Sequence, residues 1–316
     1  REGNRPHFDK KRDDRKPSRG FQQQEVREPK MAELSLNKAN GERGSVKVTV
    51  KSTGVSYKQK EKKTGALSPR APEKIKKNRA EEMKVYGENA CLELFAERPE
   101  SIVRVWATVQ MAHRIGEIFS YLAANKKVYH VVDSDELSLV SGTEHHGGIC
   151  MLVKKQRTFS LQGYLDVPRQ EDCLVVLDQV NNAQNLGGVV RTCAFYGIKN
   201  VVTNQVEQLY APAAMRVAEG GMEHIRILET ESTEIALEAL RKAGYQIIHV
   251  STNKQGVALE QLKFAEKVAL VLSEGSTDDI REKQDVNVRL SLSNPLKAGL
   301  NIAVNTGILL AHWYVK

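Results

Sequence analysis

The stretch at residues 174–197 constrains the fold of this chain more than any other. An apolar run at 174–177 ends in Asp178, and from Leu186 onward apolar residues recur with the spacing of a helix. The order is therefore strand, polar turn, helix, the repeating unit of parallel α/β sheets, which bind ligands beyond the carboxyl ends of their strands. The polar side chains of this turn and helix, which suit a polar ligand, are Asn181, Asn182, Asn185 and Arg191.

The same alternation of strands and helices continues to the end of the chain. Predicted strands lie at residues 174–177, 201–203, 225–228, 246–250, 268–272 and 288–292. Predicted helices lie at residues 187–196, 212–218, 234–243 and 301–314. This order predicts an α/β domain over residues 171–316, with a mostly parallel sheet and helices on both faces.

A smaller α/β domain is predicted ahead of it, over residues 84–154. Its strands are predicted at 102–109, 127–132 and 149–153, with helices at 86–96, 112–124 and 136–141. Residues 155–170, which include Pro168, are predicted to form a polar linker. A chain of 316 residues is long enough for two such domains.

The N-terminal residues differ from the rest of the chain in charge. Residues 1–79 contain 23 Lys and Arg against 10 Asp and Glu, whereas the remaining residues contain 24 against 29. Few aliphatic residues accompany these charges, so we expect residues 1–79 to be a disordered basic tail, although VKVTV at 46–50 alternates like a strand. Two roles stay open for it: an RNA tether that acts through counterion release, and a solubilising tail.

Composition argues against a membrane or secreted protein. No apolar run approaches the roughly 18 residues that span a bilayer, and the N-terminus is too polar for a secretory signal. The four cysteines form no CxxC pair and lie in apolar contexts, as expected of buried thiols in a reducing compartment: Cys91, Cys150, Cys173 and Cys193. We therefore expect a cytoplasmic protein, and since the chain begins at Arg1 we expect it to be part of a longer gene product.

His145 and His146 are candidate metal ligands because they are adjacent in a glycine-containing turn. No Cys, Asp or Glu accompanies them at the spacing of a metal site. The alternative, that they are turn histidines contacting backbone or RNA, is the interpretation we favour, and we expect no metal.

Three segments resemble the motifs of the TrmH/SpoU branch of the SPOUT RNA methyltransferases. Asn185-Leu186-Gly187 with Arg191 is similar to the N-L-G-x-x-x-R motif of that family. ALVLSEG at 269–275 resembles its strand and G-x-E-G loop, and GLNIAVNTGILL at 299–310 resembles S-L-N-V-S-V-A-x-G. RVAEGGMEHI at 216–225 resembles a fourth stretch, and the similarity extends in order and spacing over residues 84–316.

The resemblance implies an enzyme that transfers a methyl group from S-adenosylmethionine to a ribose 2′-hydroxyl of tRNA or rRNA, without a metal. It also implies a trefoil knot in the second domain, a rare exception among protein chains. The first domain resembles the small RNA-binding domain that precedes the catalytic domain in this family. The expected partners are therefore RNA and a second copy of the chain, as a homodimer, and no membrane.

The resemblance also assigns candidate site residues. The catalytic set is Asn185, Arg191, Glu274 and Asn301. The cofactor-binding set is Thr252, Leu272, Ser273, Gly275, Ser291, Leu292 and Leu300. Arg191 would bind the target phosphate and stabilise the developing alkoxide, since a guanidinium stays protonated and is a poor base. Asn185 would hold the loop or the ribose, and Asn301 would either hold Arg191 or only cap the last helix.

Two motifs depart from the family pattern. The loop Ser273-Glu274-Gly275-Ser276-Thr277 lacks two flanking glycines, which elsewhere let backbone approach a ligand closely. Gly299 replaces a serine and so removes a hydroxyl.

These departures leave several functions open. The chain is either an active methyltransferase or a catalytically degenerate member that binds RNA, for example as a ribosome-assembly factor. A third possibility is a small-molecule α/β enzyme with an incidental basic tail. We disfavour it because the chain lacks a Gly-rich dinucleotide-binding fingerprint.

Overall fold

The computed structural model describes residues 30–37, 43–51 and 72–316, which form two α/β units. The elements of the first unit are β1 (Lys30–Asn37), β2 (Arg43–Lys51), α1 (Glu73–Glu81), β3 (Glu82–Tyr86), α2 (Glu88–Glu97), β4 (Ile102–Thr108), α3 (Val109–Arg114), α4 (Gly116–Ala124), β5 (Val128–Val132), α5 (Ser134–Ser141) and β6 (Ile149–Lys154). Those of the second unit are β7 (Phe159–Ser160), α6 (Leu161–Leu165), β8 (Asp172–Asp178), α7 (Ala183–Phe195), β9 (Asn200–Thr203), α8 (Val206–Leu209), α9 (Pro212–Ala218), β10 (Arg226–Glu229), α10 (Thr233–Lys242), β11 (Gln246–Val250), β12 (Val257–Ala258), β13 (Lys267–Ser273), β14 (Val286–Arg289) and α11 (Ile302–Tyr314).

The sheet of the second unit is parallel throughout its described strands. Their order is β12-β14-β11-β13-β8-β9-β10-β7, and every neighbouring pair is parallel. The central strands β8 and β13 are buried along nearly their whole length. Continuous burial of this kind arises where helices cover both faces of a parallel sheet. The predicted α/β class with a mostly parallel sheet is confirmed.

Alternate residues of β8 enter two separate hydrophobic cores. Val175 and Leu177 pack in the larger core, to which α7, α9 and α11 contribute. Leu174 and Val176 pack in a second core, to which α6 and α10 contribute. Successive side chains of a strand point to opposite faces of the sheet, so the apolar run of β8 contributes to the cores on both sides.

The sheet of the first unit contains a hairpin that corrects the prediction of a disordered tail over residues 1–79. Its strand order is β1-β2-β5-β4-β6-β3, and the antiparallel pair β1–β2 joins β5 in parallel. Leu34 and Val50 are buried, and Ala32 and Val48 pack against the same core. A few alternating apolar residues suffice to fold these two strands onto the sheet, because the core they join is already formed by the other elements of the unit. The other predicted tail residues before Pro72 lie outside the described residues.

The predicted linker at 155–170 is also partly folded. Phe159 and Ser160 pair with β10, and Leu161 and Tyr164 of α6 are buried in the second core. A two-residue strand carries no periodic signal, so the sequence pattern could not reveal it. The first unit is correspondingly larger than the predicted 84–154, since it includes the hairpin and α1.

A buried ion pair joins the two units. Arg98 donates from Nε and Nη2 to the carboxylate of Glu223 at 2.6 and 3.1 Å. Its Nη1 donates to the carbonyl of Lys154 at 2.8 Å, and Gln156 donates to Glu223 at 3.2 Å. The side chain of Glu223 is 1% exposed, so its charge is neutralised at the junction rather than in water.

None of the described helices combines the length and apolar character that crossing a bilayer requires.

Candidate functional site

The carboxyl ends of neighbouring strands bring the predicted site residues to one edge of the second sheet. β8 ends at Asp178 and its neighbour β13 ends at Ser273. β11 lies beside β13 and ends at Val250, and β14 lies beside β11 and ends at Arg289. Because all four strands are parallel, the loops that follow them lie side by side. Each of these loops contains residues predicted from the sequence.

Two helices begin at this edge with asparagine N-caps. The side-chain oxygen of Asn182 accepts a hydrogen bond from the backbone N–H of Asn185 at 3.1 Å and so starts α7. The side-chain oxygen of Asn301 accepts from the backbone N–H of Ala303 at 2.8 Å and so starts α11. Asparagine satisfies the free N–H groups of a first helical turn, which explains its repeated use here.

Three predicted catalytic residues form one hydrogen-bonded group, which we call the amide–carboxylate cluster: Asn185, Glu274 and Asn301. Asn185 donates from Nδ2 to the carboxylate of Glu274 at 2.9 Å. Asn301 donates from Nδ2 to Oδ1 of Asn185 at 2.8 Å. Asn185 lies in the first turn of α7 and is partly buried, whereas Glu274, in the loop after β13, and Asn301, at the start of α11, are exposed. The cluster therefore ties three strand-end loops together while leaving its surface open to a ligand.

The carboxylate of Glu274 also holds the loop after β8. It accepts from the backbone N–H of Asn182 at 3.3 Å and of Asn181 at 3.5 Å. Gln179, at the start of that loop, has a φ of 51°, a left-handed conformation that few non-glycine residues adopt. The turn is therefore sharp, and Glu274 positions the loop by bonding its backbone.

The fourth predicted catalytic residue, Arg191, makes no hydrogen bond to the cluster. It lies six residues after Asn185 on α7, and its side chain is 62% exposed. Its Nη1 lies 3.9 Å from a carboxylate oxygen of Glu219, which also accepts from Asn89 of the first unit at 2.7 Å. An exposed pair at this distance is weak, so the guanidinium is accessible to an anionic ligand.

A pair of glycines lets α7 approach its neighbours closely. A Cβ on Gly187 would lie 2.5 Å from the carbonyl oxygen of Ala214 and from Cβ of Val217, both around α9. A Cβ on Gly188 would lie 2.8 Å from Cβ of Ala303 on α11. In the sequence these two glycines stand out only as part of a motif. The structure shows why glycine is needed there: α7 packs closely against α9 and α11 beside the site.

The residues predicted to hold the cofactor lie in the loops after three strands. Thr252 follows β11, Leu272 and Ser273 end β13, and Ser291 follows β14. Leu272 is buried in the sheet, whereas the side chains of Leu292 and Leu300 are 55% and 54% exposed. Within the described residues no atom lies within 4 Å of an added Cβ at Gly275 or at Gly299. These loops therefore offer accessible backbone and apolar side chains at the same edge as the cluster.

A buried polar network anchors the altered loop after β13, and sequence reasoning missed it. Thr277, in the loop that lacks the two family glycines, is buried and lies 2.7 Å from Nδ1 of His249. Nε2 of His249 lies 2.9 Å from Asp285, which accepts two hydrogen bonds from Arg241 at 3.0 and 2.6 Å. The substituted threonine is therefore bonded to the core beneath the loop.

Burial sets the protonation of this network. It lowers the pKa of His249, an effect that outweighs the raising influence of Asp285. Burial alone would raise the pKa of Asp285, but the hydrogen bonds from Arg241, from the backbone N–H of Glu282 and from His249 lower it. A neutral imidazole can donate a hydrogen bond from Nε2 to the Asp285 carboxylate and accept one at Nδ1 from the Thr277 hydroxyl. Both ring nitrogens then have a partner.

The side chain of one turn histidine, His146, contacts backbone, as the favoured interpretation predicted. Nδ1 of His146 accepts from the N–H of Gly148 at 3.0 Å, and burial lowers the pKa of His146. His145 is exposed.

A different set of residues has metal-ligand spacing within the described ranges. The ligand atoms of Glu93, Glu97 and His224 lie within 4.8 Å of one another. His224 Nε2 lies 2.5 Å from Glu93, so a hydrogen bond accounts for the approach of these two side chains.

The prediction of buried free thiols is confirmed for all four cysteines. Burial raises the pKa of Cys150 and of Cys173 to about 12. A thiol that stays protonated is a poor nucleophile and metal ligand, so these residues serve the core.

Two family models match the chain, one over most of the second structural unit and one over part of the first. The model of the SpoU rRNA Methylase family matches residues 172–311, and the model named RNA 2′-O ribose methyltransferase substrate binding matches residues 84–159. The second match ends in the segment that joins the two units.

Relatives and solved structures agree with these matches. An uncharacterized tRNA/rRNA methyltransferase of Haemophilus influenzae is 65% identical, over 99% of this chain and 91% of that protein. The uncharacterized tRNA/rRNA methyltransferase YfiF of Escherichia coli O157:H7 is 42% identical, over 77% of this chain and 71% of that protein. The AdoMet-bound rRNA methyltransferase from Sinorhizobium meliloti has the same fold at 18% identity, with a TM-score of 0.60 over 76% of this chain and 89% of that one.

Proposed function

This chain belongs to the SpoU family of RNA methyltransferases, and from that membership we propose that it methylates a ribose 2′-hydroxyl of tRNA or rRNA with S-adenosylmethionine as the methyl donor. The observation that carries the proposal is the amide–carboxylate cluster at the carboxyl edge of the sheet, with the exposed Arg191 on α7, the helix that contains Asn185. The match of residues 84–159 to a ribose methyltransferase substrate-binding model supports a ribose acceptor.

The loops after β11, β13 and β14 fit the proposed cofactor. The open positions at Gly275 and Gly299 allow a ligand to approach the backbone, and glycine permits this because it has no side chain. The exposed side chains of Leu292 and Leu300 offer apolar surface for an adenine ring. S-adenosylmethionine, when bound, supplies a methyl group activated by a sulfonium sulfur. The solved rRNA methyltransferase of similar fold from Sinorhizobium meliloti is named as AdoMet-bound, which supports this choice.

The chain's own residues would position the acceptor and stabilise charge. In the reaction the ribose oxygen forms a bond to the methyl carbon as the bond from that carbon to sulfur breaks, and the hydroxyl proton leaves to water at this exposed edge. Arg191 would bind the adjacent phosphate and stabilise the developing alkoxide as a hydrogen-bond donor. Asn185, held on both sides by Glu274 and Asn301, would fix the ribose in line, and such positioning supplies several kcal/mol.

Two further properties belong to the same proposal. We expect a trefoil knot in the second unit, in line with the position of β14 beyond β11 and the packing of α11 against α7. We also expect a homodimer, because apolar side chains at the ends of α7 and α11 are exposed. The exposed fractions of Phe195, Tyr314 and Val315 are 81%, 68% and 76%. Burying such a patch against a second copy is the usual outcome for exposed apolar surface of this kind.

One observation favours a second candidate function, an RNA-binding member without catalysis. Gly299 lacks the hydroxyl that the resemblance places there, and nothing within 4 Å in the described residues replaces its hydrogen bond. The intact cluster and Arg191 favour the active enzyme over this alternative.

Calorimetric titration of the purified chain with S-adenosylmethionine tests the proposal first. We expect saturable binding at one site per chain. Incubation with S-adenosylmethionine labelled in its methyl group, together with total tRNA or rRNA from cells lacking the protein, should then place label in 2′-O-methylated nucleosides after digestion. Binding of RNA without any methyl transfer would support the non-catalytic alternative instead.

A further inference from the structure

A cavity opens at the same edge of the second unit's sheet as the amide–carboxylate cluster, beside the strands β9 and β10. Its volume is about 730 Å³, within the range of ligand-binding pockets. It is lined by the segment after β6, by residues after the end of β9, by α8, and by Glu229 at the end of β10. We propose that this cavity binds the base of an unpaired nucleotide that flanks the methylated one, an inference that rests on the proposed function.

The lining contains hydrogen-bonding groups without protein partners. The side-chain amides of Asn204, Gln205 and Gln208 make no hydrogen bond to any described residue. The amide oxygen of Gln208 is also buried from solvent, where an unmade hydrogen bond is costly. A carboxamide carries one acceptor and two donors side by side, the pattern that pairs with the edge of a nucleobase. Three such groups around one cavity therefore favour a base as the ligand.

The charge of the cavity favours a single nucleotide over a dense polyanion. Lys155 lies 3.1 Å from Glu207, so these two charges neutralise each other. Arg157 is exposed and makes no hydrogen bond or ion pair to a described residue, while Glu229 accepts from Thr158 at 3.2 Å. With the charges of Lys155 and Glu207 cancelled, one free guanidinium beside Glu229 can hold one phosphate but offers too little positive charge for a cluster of them.

The position of the cavity fits a neighbouring nucleotide. β9 lies next to β8, whose loop carries Asn185, and β10 follows β9 in the sheet. Adjacent strands are about 4.8 Å apart, so the cavity is displaced from the cluster by about one to two strand spacings along the edge. An RNA strand lying along this edge could place its target ribose at the cluster and a neighbouring unstacked base in the cavity. Sequence-specific RNA recognition commonly reads unstacked bases in this way.

Fluorescence anisotropy with labelled hexaribonucleotides of A, C or U tests this inference at one fixed salt concentration. We expect the full chain to prefer one base, and the double variant Gln205→Ala/Gln208→Ala to lose that preference with about tenfold weaker binding of the preferred hexamer. Arg157→Ala should weaken binding of all hexamers by a similar factor.

Matched variants at the opposite edge of the sheet provide the controls. Gln284→Ala and Arg226→Ala remove an exposed glutamine and an exposed arginine that lie just before β14 and at the start of β10. Both should bind like the unaltered chain. Thermal unfolding of every variant verifies that the fold is retained.

Two results would overturn the inference: unchanged base preference in the double variant, or no base preference in the unaltered chain at up to millimolar concentration. Neither depends on methyl transfer. If the chain methylates RNA but gives either of these results, only the proposal about the cavity is contradicted. If the chain prefers one base through Gln205 and Gln208 but transfers no methyl group, only the proposed reaction is contradicted.

Discussion

At the scale of single residues, the candidate site has two parts with different contacts. Asn185, Glu274 and Asn301 hold one another, whereas Arg191 lies 3.9 Å from Glu219 and makes no hydrogen bond to the cluster. A weakly paired, exposed side chain contributes little to stability. Its removal therefore reports on function rather than on folding.

Arg191→Ala should lower the rate of methyl transfer at least about 100-fold, because it removes a donor aimed at developing negative charge. We expect the melting temperature and the Kd of S-adenosylmethionine to stay unchanged. Activity assays and calorimetry measure both effects, and Arg226→Ala serves as the control for loss of one exposed arginine. A lower melting temperature in Arg191→Ala would show a structural role instead.

His249 makes stability depend on pH. Its pKa in the folded chain lies below the ordinary value of 6.5, so the unfolded chain binds more protons between these two values. Stability from this residue is fully present above pH 6.5 and is lost as the pH falls below it. The lowered pKa of Asp285 acts in the same direction at lower pH.

Urea unfolding at several pH values between 8 and about 5 measures this dependence. We expect the free energy of unfolding to decrease toward acid in the unaltered chain. The decrease should be smaller in His249→Gln, whose amide can bond to Asp285 but does not titrate. Equal slopes in the two proteins would exclude His249 as the cause.

At the scale of elements, glycines and caps decide how the helices meet the site. The sequence pattern predicted α9 and α10 to within one residue, since their apolar spacing is regular, but it missed the first turn of α7, which begins at Ala183 rather than at residue 187. It predicted one helix over 112–124 where the chain forms α3 and α4 with a break at Ile115. Apolar periodicity continues through such a break, so the pattern could not place it.

Gly187→Ala should destabilise the fold by about 1–3 kcal/mol, because the new methyl group would overlap Ala214 and Val217. Gly307→Ala in α11 is the matched control, since no described atom lies within 4 Å of its added Cβ. There the change should stabilise by about 0.4–1 kcal/mol through the entropy of the unfolded chain. Denaturant unfolding compares the two, and effects of equal sign would contradict the packing argument.

At the scale of the whole molecule, one buried charge pair sets the relation of the two units. Arg98→Ala should cost about 3–5 kcal/mol, because it leaves the carboxylate of Glu223 buried without its partner. Replacing both residues by Met should cost much less, since no unpaired charge remains. Lys155→Ala breaks a more exposed pair and should cost less than about 1 kcal/mol.

Calorimetric melting of these variants provides the measurement. If the double replacement is as unstable as Arg98→Ala, packing rather than an unpaired charge controls the junction.

The sequence by itself determined the α/β class, the order of the main elements and the family, because these depend on apolar periodicity and on motifs local in the chain. It also predicted Asn185, Glu274 and Asn301 as candidate site residues, although not that they bond to one another. Only the tertiary structure decided that β1 and β2 complete the sheet of the first unit, that Thr277 bonds to His249, and that amides without a partner among the described residues line a cavity. Each of these brings together segments distant in sequence, and single-chain periodicity contains no information about such pairing.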